Sequence, residues 1–187
     1  MSAAIDRRQP LRTPVLEWAA VVAGAALLLS RSSVVGWSSA PVILLAVYAG
    51  IVWMSLDGPV EPRPVAQRAS VLAIGLAAVL AASLLTGPRP PAPITQWALP
   101  LGVVAAVAEE AFFRGLLYRT LSRAGAFVAI AGTALAFAAI HVPAYGDPAF
   151  WVDLGAGAVL SWQRWATGGW GVPAATHVAA NVLAVLR

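Results

Sequence analysis

The sequence has no cysteine and no lysine, two histidines, and few charges of either sign: 11% of its 187 residues are charged, against about 25% in an ordinary soluble domain. Without cysteine there is no disulfide framework, no thiolate metal site and no thiol nucleophile, so cysteine proteases are excluded. What fills the space left by charge is apolar: 60% of the residues are hydrophobic and the mean hydropathy is +0.79. That composition predicts an all-α, polytopic transmembrane helix bundle. At roughly 20 residues per span the chain holds about seven helices, with roughly six to eight as the range. No length remains for a separate soluble unit, so 1–187 reads as a single transmembrane domain.

Twelve arginines face eight acidic residues, a net charge of +4. Their positions fit membrane orientation, so the bilayer is the expected partner and nucleic acid is not. Apolar stretches fall at about 15–30, 37–56, 69–86, 97–118, 125–141, 150–162 and 170–186. Two connectors cannot continue a helix, 57–64 with Pro59, Pro62 and Pro64, and 87–93 with Pro88, Pro90, Pro91 and Pro93, because proline lacks an amide donor and restricts its neighbour. The sixth stretch is short and glycine-rich and reads as a partial or tilted span.

Arg7, Arg8 and Arg12 precede the first apolar run, which lacks a small-residue cleavage site behind it and reads as an uncleaved first helix. A cytoplasmic N-terminus puts Arg7, Arg8, Arg12, Arg63, Arg68, Arg119, Arg123 and Arg164 inside, and Arg31, Arg89 and Arg187 outside. The bias towards alanine, arginine and proline suggests a bacterial cell membrane. Trp151, Trp162, Trp165 and Trp170 read as an interfacial aromatic belt.

The fourth stretch carries Glu109, Glu110 and Arg114 inside an apolar run. Each costs about 2.5–3.5 kcal/mol near the centre of a bilayer, so none of them faces lipid. At about 100° per residue Glu110 and Arg114 lie about 40° apart, whereas Glu109 and Arg114 differ by about 140°. The spacing predicts a structural Glu110–Arg114 ion pair and leaves Glu109 turned to other helices. Both glutamates could instead be structural. The histidines bear on that choice: His141 and His177 each lie in an apolar stretch, away from charged loops. A lone histidine on an apolar helix is usually a packing residue, but here both behave alike. His177 and Asn181, four apart, share a helical face and can present two donors to one point, as an oxyanion hole requires. Phe137 shares a face with His141 and either walls the imidazole or packs the core.

Glu-Glu-x-x-x-Arg at 109–114, Phe-x-x-x-His at 137–141 and His-x-x-x-Asn at 177–181 together resemble the CPBP intramembrane proteases, the group of type II CAAX prenyl endopeptidases and bacteriocin-processing/Abi proteins. The likeness covers about 100–187, which would form the catalytic core. It implies an endopeptidase in which Glu109 and His141 activate water, His177 and Asn181 stabilise the oxyanion, and Glu110 and Arg114 support them. Members are often labelled metalloproteases, and Glu109, His141 and His177 would make a three-ligand open zinc site with Asn181 orienting. Two histidines cannot serve both as zinc ligands and in the oxyanion hole, and His-Glu-x-x-His is absent, so a metal-free mechanism without cofactor is favoured. The rhomboid Gly-x-Ser-Gly and presenilin Gly-x-Gly-Asp motifs are also absent. The expected substrate is a peptide or membrane protein. The competing functions are a catalytically silent immunity or scaffold protein and a small transporter using the buried carboxylate.

Overall fold

The computed structural model describes residues 13–56, 63–86 and 96–186. The arginine-rich leader, connector residues 57–62 and 87–95, and Arg187 lie outside them. All regular structure among the described residues is helical: α1 (Pro14–Val34), α2 (Ala40–Ser55), α3 (Val65–Thr86), α4 (Ala98–Glu110), a π-helical segment (Ala111–Leu117), α5 (Tyr118–Ser122), α6 (Ala126–Tyr145), α7 (Asp147–Thr167) and α8 (Gly171–Val185). Since α4, the π segment and α5 run on without a break, these elements make seven rods among the described residues, as the apolar pattern predicts.

Local sequence sets the ends. Pro14, Pro41 and Pro148 sit in first turns, where the missing N–H would have had no partner. Gly146 and Gly168, at φ 79° and 72°, close α6 and α7 in a conformation that costs a residue with Cβ. The sixth stretch is longer than expected. It forms a full helix of 21 residues, because Asp147-Pro148 starts it before the apolar run and no breaker comes until Gly168.

The α4–π–α5 rod lies at the centre and packs against α1, α2, α6, α7 and α8. Its Ala108, Phe112, Phe113 and Leu116 join Leu28, Leu44, Ile51 and Phe137 in the core. Two glycines permit the closest approaches. A Cβ on Gly24 would stand 2.6 Å from the Phe112 ring, and one on Gly157 would stand 3.0 Å from the Ala134 backbone. Phe127, Trp53, Leu84, Leu85 and Trp151 point outward, which suits a lipid solvent. Three helices, Pro14–Val34, Val65–Leu85 and Ala126–Tyr145, are long and apolar enough to cross a membrane, and α2 and α8 are shorter apolar helices. The chain is a helical membrane protein. Of the tryptophans read as a belt, Trp151 and Trp165 are exposed, Trp162 is half-buried, and Trp170 is half-buried close to Gly115.

Candidate active site

Glu109 and Glu110 end α4, and the helix turns π-helical at the next residue. Bonding from i to i+5 widens the helix and lowers the rotation per residue, so Glu110 and Arg114 fall nearly in line. Arg114 Nη1 donates to Glu110 Oε1 at 2.8 Å and Nη2 to the Gly157 carbonyl at 3.0 Å. Both side chains are fully buried. The guanidinium also lies over Phe137, 4.6 Å from the ring centroid, and 5.6 Å from that of Phe113, two cation–π contacts that soften the cost of burying the charge. The pair expected from spacing is present.

Glu110 has a second role that spacing did not reveal. His177, from α8, directs Nδ1 to Glu110 Oε1 at 2.9 Å. A carboxylate accepts, so Nδ1 carries a proton and donates, and Nε2 faces the other side. His141, from α6, is pinned in the same sense: Nδ1 donates to the Phe137 carbonyl at 2.7 Å. Both Nε2 atoms turn to one oxygen, Glu109 Oε2, at 3.6 Å from His141 and 3.9 Å from His177. Glu109, His141 and His177 are all buried. Three helices thus bring one carboxylate oxygen and two imidazole nitrogens to a common point.

Phe137 occupies the middle of this group. Its ring centroid is 4.6 Å from that of His141 and 5.5 Å from that of His177, so it walls both imidazoles, where the sequence suggested one. Asn181 lies one turn beyond His177, and its Nδ2 donates to the Gly102 carbonyl of α4 at 2.9 Å. One N–H of that amide is used there and a second remains for another acceptor.

Three residues near the site escaped the sequence reading. Arg31, from the last turns of α1, forms an ion pair with Glu109 through Oε1, so Glu109, without a partner on its own helix, gains one from another. Asp153 of α7 stands 4.0 Å from His141 Nδ1. Tyr145 stacks on His141 at 5.8 Å with planes 17° apart, while its own side chain is exposed. Arg31 directly follows its apolar run, where it reads as a flanking charge on the outer side; nothing in the sequence tied it to residue 109.

A zinc ion would have to use Glu109, His141 and His177. Among the described residues no three His, Asp or Glu side chains are grouped as metal ligands, and the one carboxylate of the set already carries a guanidinium. A dication held there would stand beside the Arg31 guanidinium on the same carboxylate.

Residues 91–183 match the family described as type II CAAX prenyl endopeptidase Rce1-like. No curated protein and no solved structure matches the chain. The matched segment contains Glu109, Glu110, Arg114, Phe137, His141, His177 and Asn181, and the chain belongs to the Rce1-like family of type II CAAX prenyl endopeptidases, a family of proteases.

Proposed function

We propose that the protein is an intramembrane endopeptidase that hydrolyses a peptide bond with water held between Glu109 and His141. The observation that carries this reading is the convergence of His141 Nε2 and His177 Nε2 on Glu109 Oε2, at 3.6 and 3.9 Å. Both gaps are longer than a direct hydrogen bond, which leaves these three atoms able to take a water placed beside them.

Glu109 takes a proton from the water while His141 Nε2 accepts the other O–H, and the water oxygen bonds to the carbonyl carbon. The carbonyl electrons move onto oxygen. His177 donates to that oxyanion from Nε2 in its imidazolium form, with Glu110 behind Nδ1 as counter-charge, much as a buried carboxylate orients the histidine of a hydrolytic triad. The free N–H of Asn181 is the second donor. As the intermediate collapses, the C–N bond breaks and the leaving nitrogen takes the proton from Glu109, giving a carboxylic acid and an amine. No metal is assigned a step.

Substrates of this reading are peptides or membrane proteins, with prenylated C-terminal peptides as the first class to try. Orientation follows from charge. Arg63 and Gln67 bond to Thr167 and Ala166, and Arg119 and Arg123 pair with Glu17. These contacts gather the starts of α1 and α3 with the ends of α5 and α7, and Arg31 lies towards the other end. The arginine-rich end is assigned to the cytoplasm of a bacterial cell, with the N-terminus. Tyr145, Asp153 and Arg31 then lie on the outer side of the site.

The test is hydrolysis of a panel of prenylated and leader peptides by protein in lipid nanodiscs, run in ¹⁸O-labelled water. One heavy oxygen in each new carboxyl group is expected. Glu109→Gln should abolish incorporation. Transport of an ion by the same preparation, with no peptide cut across the panel, would support the carrier reading and defeat this one.

A further inference from the structure

The catalytic carboxylate proposed above is completed from outside the matched segment. Glu109 divides its two oxygens between two jobs: Oε2 faces the two imidazole nitrogens, and Oε1 meets Arg31. Glu109 is a buried carboxylate with no partner on its own helix. A buried charge of this kind is held in place by an opposite charge, and the cation has to stand on the far side from the two rings. Arg114 does not fill that place, since its two terminal nitrogens go to Glu110 and Gly157.

Arg31 is suitably held. Its helix is fixed to the central rod at two further points on the same stripe, Glu17 to Arg119 and Arg123, and Gly24 against Phe112. Its side chain is 13% exposed, enough for small solutes to reach the pair from the Tyr145 side.

We infer that Arg31 is a positioning residue, the counter-ion that keeps Glu109 a carboxylate and turns Oε2 towards the water between His141 and His177. The inference rests on the proteolytic reading for its kinetic consequence, but the ion pair is observable without catalysis. Arg31→Gln should lower kcat by about 10- to 100-fold, less than loss of the base itself at about 10²–10⁴, and leave KM within about twofold, because the guanidinium touches the base and not the substrate. Arg31→Lys should recover much of the loss. Guanidinium chloride should partly rescue Arg31→Ala and leave the wild type unchanged.

The second readout is labelling by a hydrophobic carbodiimide, which reacts with protonated carboxyl groups. Peptide mapping by mass spectrometry should find Glu109 slow to label in the wild type and in Arg31→Lys, and at least tenfold faster in Arg31→Gln. Unchanged labelling in Arg31→Gln, or unchanged kcat, overturns the assignment. So does a loss of kcat that neither lysine nor guanidinium restores, which marks a residue needed only for folding. If no peptide is cut by the wild type while labelling still responds to Arg31, the counter-ion stands and the protease reading is the part that fails.

Discussion

Removing one member of the Glu110–Arg114 pair should unfold the protein more readily than removing Glu109. The pair is fully buried, and two atoms, Glu110 Oε2 and Arg114 Nε, have no hydrogen-bond partner among the described residues. Burial has therefore been only partly repaid, and the remaining contacts matter more for it. Glu110→Gln keeps the shape but leaves a guanidinium facing a neutral amide and one carbonyl, Gly157 O. A stranded buried charge costs about 3–5 kcal/mol. Arg114→Ala also strips the side chain from Phe113 and Phe137 and opens a cavity, so it should fall at the upper end. Glu110→Leu with Arg114→Met removes both charges at similar volume. It should cost less than either single change, apart from about 1 kcal/mol for the acceptor that His177 loses. Glu109→Gln should cost only about 1–2 kcal/mol, because Arg31 keeps some contact with solvent. Unfolding free energies from denaturing-detergent titration decide this. Equal losses at 109 and 110, or a double variant as unstable as the sum of its singles, would refute the division of labour.

Asn181→Ala should lower kcat by about 10²–10³ with KM nearly unchanged, since an oxyanion contact strengthens only as charge develops; single-turnover kinetics on the purified protein check it. Activity should survive exhaustive chelation, and a stoichiometric zinc requirement, with loss on stripping and recovery on return, would contradict the metal-free mechanism. The chain has no cysteine, so single cysteines report topology cleanly. Tyr145→Cys should react with an impermeant maleimide on intact cells and Gln67→Cys only after lysis, and the reverse pattern would invert the orientation.

What could be read from the sequence was local. Helix number followed from prolines and glycines between apolar runs, and Glu110–Arg114 followed from a spacing of four, because a helix brings such neighbours together whatever surrounds it. The histidines and Asn181 were visible as polar groups in apolar helices, which must find partners. Which partners they find is a matter of how helices pack. His177 meets Glu110 across 67 residues, and Asn181 meets Gly102 across 79. The π segment was hidden for a different reason: angles drawn at 100° per residue assume the α-helix throughout, and Ala111–Leu117 departs from it just past Glu109 and Glu110. α7 begins ahead of its apolar run because Asp147-Pro148 supplies helix-start chemistry that hydropathy does not register.

The first helix shows how the segment before residue 91 contributes to a site made of later residues. Glu17, Gly24 and Arg31 are spaced by seven, two turns of helix, so they share one stripe of α1. Each meets the central rod at a different height: Glu17 at Arg119 and Arg123, Gly24 at Phe112, Arg31 at Glu109. The contacts run in opposite order along the two rods, as antiparallel neighbours require. The ion pairs of Glu17 and of Arg31 fix the register at the two ends, and between them the missing Cβ of Gly24 lets an edge of Phe112 approach α1 closely. A slide of one turn, about 5.4 Å, would bring a side chain against Phe112 and part both ion pairs at once. Register of α1 and placement of the cation on Glu109 are therefore one property. Gly24→Leu, far from any proposed chemistry, should displace Arg31 and reproduce the faster carbodiimide labelling of Glu109 expected for Arg31→Gln. If Gly24→Leu folds and Glu109 labels as slowly as in the wild type, the helix does not control the ion pair.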